Sequence, residues 1–301
     1  MSTAAAFVTP ERSKVRAFCS LVMIEHSIFA LPFAYIAALT AMWRDTGSIH
    51  WVQLLLITIA MVSARTVAMS ANRILDRRYD ALNPRTAHRE LITGELSIRS
   101  AWVGTAVAAL VFVLACAALS WLCLALAPAA IFVLVLYSYG KRFTDFPQVL
   151  LAVAQFVAPV GAWLAVTGGT GWAPCALGIA VGTWIGGFDL VYSCQDAAID
   201  RKIGSRSFPA RFGIRAALTT SWIVHAVTLG AFVWFGLAAG LGWLWWTGVG
   251  LTAAVLCYEH VIVRPNDLSR VNRSFFTANG IIGIGLFAFA LADLIRQGLG
   301  R

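Results

Sequence analysis

Hydrophobic and polar positions along this chain separate into long blocks. Apolar runs occupy roughly 18–43, 51–71, 99–119, 122–139, 148–167, 173–192, 216–237, 241–262 and 275–295. Each is close to the ~20 mostly apolar residues that a helix needs to cross a bilayer. The pattern predicts an all-α integral membrane protein of about nine transmembrane helices. They form one domain over 1–301, in two halves at about 18–139 and 148–295. Pro32, Pro159, Gly161, Gly186 and Gly187 fall inside the runs. Membrane bundles tolerate such residues, because neighbouring helices re-satisfy the backbone and small side chains allow close approach.

Composition agrees with this reading. The chain has 301 residues, 59% hydrophobic and 12% charged, whereas an ordinary soluble domain is about a quarter charged. The net charge of +9 would suit nucleic acid, but its placement argues against that partner. Of the 23 Lys and Arg, 19 fall before the first run or in 73–99, 141–142, 201–215 and 264–273. The connections near 120, 168–172 and 238–242 carry none. Alternation of basic and non-basic loops is the positive-inside pattern, and it predicts a cytoplasmic amino terminus. Residues 1–17 are polar and the first run is too long for a signal-peptide core, so no cleaved leader is expected. The six cysteines lie singly, mostly inside apolar runs, and read as small buried hydrophobes.

Two polar islands break the pattern. One is NRILDRRYDALNPRTAHRE, residues 72–90; the other is FDLVYSCQDAAIDRKIGSRSFPARFG, residues 188–213. Both follow an apolar run on the predicted cytoplasmic side. Each holds Asp-x-x-x-Asp, as Asp76 with Asp80 and Asp196 with Asp200. Each has trailing arginines, Arg85 and Arg89 in the first and Arg206 and Arg211 in the second. Side chains four apart are neighbours on one helix face, so Asn72, Asp76 and Asp80 form one stripe and Asp196 and Asp200 another. Carboxylates so placed repel unless a cation lies between them. An all-oxygen set without His or thiolate favours magnesium, which takes one or two protein carboxylates and completes its shell with phosphate and water. Adjacent arginines suit further phosphate oxygens. The islands therefore point to a diphosphate held through Mg2+, and the apolar helices to a hydrocarbon tail in a central cavity open to the cytoplasmic side.

At these residues the chain resembles the UbiA family of membrane prenyltransferases. Asn72, Asp76 and Asp80 match its Asn-x-x-x-Asp-x-x-x-Asp motif, and RTAHRE resembles its RTxxRP, with Glu90 in place of proline. Asp196, Asp200 and the KIG at 202–204 match the second motif, with Asp189 and Tyr192 upstream. YSYGKR supplies Tyr137, Tyr139, Lys141 and Arg142, and Arg65 fits the family's second helix. HSIFALPFAYI and NPRTAHREL look most like bacterial enzymes that prenylate 4-hydroxybenzoate or a dihydroxynaphthoate. The resemblance implies transfer of a prenyl group from a prenyl diphosphate to a ring carbon of an aromatic acid, through an allyl cation. It implies Mg2+ at Asn72, Asp76, Asp80, Asp196 and Asp200. Arg65, Arg89, Lys141, Arg142 and Arg206 would meet the diphosphate. Tyr137, Tyr139, Asp189 and Tyr192 would face substrate or cation. The expected setting is the bacterial inner membrane.

Two other classes fit part of this. A cation-coupled transporter would also place acids in the membrane, but its sites usually lie near the midplane, and these acids sit at the ends of runs. A nucleotide-linked alcohol transferase also uses paired DxxxD, but its DGxxAR opening is absent here. Glu25 and His26 form an ionisable pair inside the first run, where an internally satisfied pair is as good a reading as a functional one.

Overall fold

The computed structural model describes residues 13–22 and 31–300, with Lys14 and residues 273–278 described by backbone alone. The Glu25–His26 pair lies outside the described residues. The helices are α1 (Lys14–Leu21), α2 (Leu31–Asp45), α3 (Trp51–Leu82), α4 (Glu90–Thr93), α5 (Ile98–Leu119), α6 (Trp121–Phe143) and α7 (Pro147–Thr167). They continue as α8 (Trp172–Ser193), α9 (Ala197–Ile203), α10 (Phe208–Phe212), α11 (Ile214–Ala239), α12 (Trp243–Ile262) and α13 (Val271–Arg296).

Seven described helices are long and apolar enough to cross a membrane: Trp51–Leu82, Ile98–Leu119, Trp121–Phe143, Pro147–Thr167, Trp172–Ile203, Ile214–Ala239 and Asn279–Arg296. The sequence pattern predicts about nine. Of the other two runs, 18–43 is described in part and contributes the 15-residue α2. The run 241–262 forms the 20-residue α12, whose tryptophans and terminal Glu259–His260 lower its hydropathy.

The long helices pack in chain order, α3 on α5, then α5–α6, α6–α7, α7–α8, α8–α11, α11–α12 and α12–α13. Helix α2 fits between α13 and α7 and also touches α3 and α8. Small residues decide how close these helices come. Gly178, Gly182 and Gly186 lie one helical turn apart on α8 and face α7. A Cβ at Gly182 would lie 2.5 Å from the Ala152 carbonyl oxygen, so this contact needs glycine. Ser120 ends α5 and begins α6, its hydroxyl accepting from Cys123 N, so the turn between them is as tight as a chain allows.

Because successive long helices alternate in direction, the ends of α3, α6 and α8 and the start of α7 come together at one end of the bundle. That end carries both polar islands. In the first, helix α3 runs 32 residues without a break, about 48 Å at 1.5 Å per residue. The stripe of Asn72, Asp76 and Asp80 is therefore the last three turns of a spanning helix. In the second, α8 passes through a 3-10 turn at Cys194–Asp196 into α9.

Candidate active site

One cavity of about 710 Å³ opens between α2, α3, α5, α6, α7, α8 and α13. At the polar end its wall carries Asn72 and Asp76 from α3, Lys141 from α6, Asp189 and Tyr192 from α8, and Asp196 and Asp200 beyond it. Arg65, Arg89 and Tyr137 also reach the wall. Along α6 the lining extends from Lys141 back to Cys123, about 27 Å of helix. Away from the acids it is almost wholly apolar, with Phe112, Leu126, Val133, Leu151 and Val157 among the lining residues.

The first stripe is held from several sides. Asn72 Nδ2 donates to Asp76 Oδ2 at 3.1 Å. Asp76 is 2% exposed, with Lys141 Nζ 3.7 Å from Oδ2 and Arg142 Nη1 3.4 Å from Oδ1. Arg142 does not reach the cavity wall. Its guanidinium donates to Leu75 O at 2.6 Å and Ser138 O at 3.0 Å and lies between the rings of Tyr79 and Tyr139. Arg142 thus buttresses Asp76, with three of its five N–H donors engaged by Asp76 and the two backbone carbonyls. Asp80 also leaves the cavity. It pairs with Arg89 Nη1 in a small recess beside Leu21, Arg73 and Glu90.

The second stripe depends on the first island. Arg85 grips Asp196 with two parallel bonds, Nε to Oδ1 at 3.0 Å and Nη2 to Oδ2 at 2.6 Å. Arg85 Nη1 donates to Tyr192 OH at 3.3 Å, and the guanidinium lies 5.4 Å over the Tyr192 ring. Asn83 Nδ2 adds a third bond to Asp196 Oδ1 at 3.0 Å. Burial opposes the charge on Arg85, but hydrogen bonding to Asp196 and the field of that carboxylate outweigh it, raising the Arg85 pKa above the usual arginine value. Asn83 and Arg85 sit in the turn after α3, where Pro84 follows an asparagine whose Oδ1 accepts from Arg85 N at 3.0 Å. Asn-Pro reads as a turn signal, so sequence locates this loop, but nothing local says that it reaches Asp196.

Besides Asp80 and Arg142, two more predicted site residues lie elsewhere than the sequence pattern implies. Tyr139 is two positions from Tyr137 on α6, about 200° around a helix. Tyr137 reaches the cavity and Tyr139 is 40% exposed on the outer surface. Arg206 follows the turn at Gly204 (φ 73°) and donates to Phe143 O at 2.9 Å. It pins the end of α6 and does not line the cavity. Gln148 and Ser193, which the motifs do not include, do line it and approach each other at 3.4 Å. A glutamine and a serine in otherwise apolar helices are the signal that could have found them.

The residues present fit a divalent ion. Asp76, Asp196 and Asp200 offer carboxylate oxygens, and Asn72 an amide, to one cavity. Among the described residues no three acidic, His or Cys side chains converge to hold a metal alone. That suits an ion that draws the rest of its shell from phosphate and water.

The UbiA prenyltransferase family profile matches residues 30–281. The chain belongs to the UbiA prenyltransferase family. It is 32% identical over 258 residues to a 4-hydroxybenzoate octaprenyltransferase from Xanthomonas campestris pv. campestris (strain B100), covering 84% of each chain. A relative of the same name from Burkholderia multivorans is 29% identical, covering 86% of this chain and 90% of the relative. Among solved structures, the apo UbiA homolog from Aeropyrum pernix K1 superposes with a TM-score of 0.82 at 32% identity, covering 90% of this chain and 98% of that one. A UbiA homolog from Archaeoglobus fulgidus bound to GPP and Mg2+ shares the fold, with a TM-score of 0.66 at 19% identity, covering 93% and 99%. Membership makes this UbiA-family chain an integral membrane prenyltransferase and sets the transporter reading aside.

Proposed function

We propose that the enzyme transfers the prenyl group of a prenyl diphosphate to a ring carbon of 4-hydroxybenzoate, in the inner membrane of a bacterium, with its acidic end towards the cytoplasm and the whole chain acting as one domain. One observation carries this reading. Asp76 from one half of the chain and Asp196 and Asp200 from the other line the polar end of the same cavity, whose wall away from that end is mostly apolar. That division suits a molecule with an anionic head and a hydrocarbon tail. The names of the bacterial relatives support the acceptor, and the clustering of Lys and Arg at the acidic end supports the orientation.

Asn72, Asp76, Asp196 and Asp200 would hold Mg2+, which supplies charge neutralisation for the departing diphosphate. Lys141, Arg65 and Arg89 bring cations to the same head group. As the allylic C–O bond ionises, negative charge grows on the diphosphate, and these fixed cations meet it without reorganisation. The faces of Tyr137 and Tyr192 offer the allyl cation about 1–2 kcal/mol each by cation–π attraction. Phe33, Trp184, Ile185 and Phe188 line the wall nearby and keep water from the cation. Attack by the ring carbon ortho to the phenol, followed by loss of its proton, restores aromaticity.

The test incubates membranes containing the enzyme with geranyl, farnesyl and longer diphosphates against 4-hydroxybenzoate and a dihydroxynaphthoate, with products identified by mass. A prenylated 4-hydroxybenzoate is the expected product. Product from the naphthoate alone would move the acceptor assignment, and no prenylated acid across the whole grid would overturn the reading.

A further inference from the structure

Helix α8 carries Asp189, Tyr192 and, just past its end, Asp196, so its rotation about its own axis decides whether those groups face the cavity. On the side away from the cavity, α8 meets α11 through a row of polar contacts unusual for an apolar seam. Ser221 Oγ donates to Gly187 O at 2.6 Å. One turn deeper, His225 Nε2 lies 3.2 Å from Trp184 O. Deeper again, the hydroxyls of Thr228 and Thr183 meet at 2.9 Å. Ser221, His225 and Thr228 are at most 2% exposed, and they descend α11 as Gly187, Trp184 and Thr183 descend α8.

The middle rung is fixed further. A carbonyl only accepts, so His225 Nε2 carries the proton. Its Nδ1 is then left to accept from His260 Nε2 on α12, 2.9 Å away. His260 is itself clamped by Trp222, ring centroids 4.3 Å apart. There is no slack against α8, since a Cβ at Gly187 would lie 2.6 Å from His225 Cδ2.

At 3.6 residues per turn, Asp189 and Tyr192 lie about 160° and 140° around α8 from Gly187. The ladder therefore grips the back of the helix whose front faces the cavity. Single hydrogen bonds between membrane helices are weak, but three in register resist rotation together. We infer that Ser221 and His225, locked by His260, are positioning residues that set the rotation of α8 and so aim Asp189, Tyr192 and Asp196 at the donor. The inference rests on the proposed donor site.

The test uses full-length protein in lipid nanodiscs, with Ser221→Ala, His225→Phe and His225→Gln. Phenylalanine fills the space without a donor, and glutamine restores one. Two readouts are taken. The first is the kcat and donor KM of prenyl transfer. The second is site-resolved labelling by a water-soluble maleimide, located by mass spectrometry, at native Cys194 and at a Ser193→Cys probe. Ser193 lines the cavity and Cys194, 2% exposed, faces the seam. The ladder predicts that Ser221→Ala combined with His225→Phe lowers kcat/KM about tenfold to a hundredfold, the scale of a 1 Å misplacement. Labelling should shift from position 193 towards Cys194, and His225→Gln should recover both readouts. Unchanged labelling and kinetics in the Ser221→Ala, His225→Phe protein would overturn it, as would equal losses in His225→Gln and His225→Phe. Labelling does not depend on turnover. A shift in labelling with no product from the unsubstituted enzyme would therefore uphold the ladder and sink the proposed function.

Discussion

The two acidic stripes look like copies in the sequence and differ in how they are built. The first is the end of an unbroken helix. Asp76 there is 2% exposed, tied to Asn72, with Lys141 and Arg142 set against it from α6. The second follows a helix that breaks into a 3-10 turn at Cys194–Asp196, and its Asp196 is held by Arg85 and Asn83 from the loop after the first stripe. Proximity in sequence would give each stripe its own trailing arginines. Arg89 does serve Asp80, but Arg85 crosses to the other half and Arg206 turns to Phe143 O. A duplicated motif therefore need not be a duplicated mechanism. One half is prebuilt and the other is strapped.

The largest effect should separate residues within the first stripe. Asp76→Asn removes a carboxylate from the cavity wall, and kcat/KM should fall about a thousandfold, the upper range for losing one group that stabilises developing charge. Asp80 faces Arg89 outside the cavity, so Asp80→Asn should cost far less, acting only through a freed Arg89. In the second stripe Asp196 and Asp200 both reach the wall, so their asparagine variants should be alike and both severe. Prenyl transfer in membranes at saturating Mg2+ measures all four. Equal losses at Asp76 and Asp80 would erase the contrast.

A smaller effect tests the strap. In the absence of donor, Arg85 occupies both oxygens of Asp196, so a divalent ion must compete with it there. A charge-assisted hydrogen bond contributes about 1.5–3 kcal/mol, so Arg85→Gln should tighten donor-free Mn2+ binding about tenfold. Arg89→Gln should change it little, since Asp80 lies off the cavity. Paramagnetic resonance of free Mn2+ in titrations of purified protein reads both. Weaker Mn2+ binding in Arg85→Gln would mean that Arg85 organises the ion site instead of blocking it.

Much of this is legible in the chain itself. Long apolar blocks dictate membrane helices, because no other local solution satisfies the backbone in lipid. The i, i+4 spacing of Asn72 and Asp76 survives as a 3.1 Å contact because α3 stays helical through them. What sequence does not supply are angles and crossings. Tyr137 and Tyr139 look equivalent in YSYGKR, yet only one can face inward from a helix. Arg85 and Arg206 look equivalent as residues trailing a DxxxD, yet one loop folds across the cavity mouth and the other turns at Gly204 towards α6. Asp80 continues the stripe in sequence but meets Arg89 where the helix leaves the cavity. Such distinctions depend on the packing of distant helices, which local spacing does not encode.

The packing of α8 gives a prediction on stability. Helix α8 is gripped by α11 through hydrogen bonds and by α7 through glycines. A Cβ at Gly182 would meet the backbone oxygen of Ala152 at 2.5 Å, while one at Gly186 would lie 3.3 Å from Gln148 O. Backbone cannot move aside as a side chain can, so Gly182→Ala should destabilise by about 1–3 kcal/mol and Gly186→Ala by less. Thermal unfolding followed by tryptophan fluorescence in detergent would rank them, and the reverse order would mean that α7 is free to slide.

The smallest expected effect is the sharpest check on the strapped-versus-prebuilt contrast. If trailing arginines acted by proximity in sequence, Arg206 would be the second stripe's counterpart of Arg89, and Arg206→Gln would depress donor binding. The geometry gives it a different part. Arg206 is exposed, its backbone N–H donates to Lys141 O at 3.1 Å, and its side chain donates to Phe143 O. Those bonds tie the second island to the end of α6 just beyond Lys141. A hydrogen bond at an exposed site contributes about 1 kcal/mol, so Arg206→Gln should leave donor KM within about fivefold. Whatever change occurs should follow Lys141 rather than Asp196. Combined with Lys141→Met, Arg206→Gln should add almost nothing, whereas combined with Asp196→Asn its small effect should persist in full. Additivity with Lys141→Met and silence with Asp196→Asn would place Arg206 in the second stripe after all.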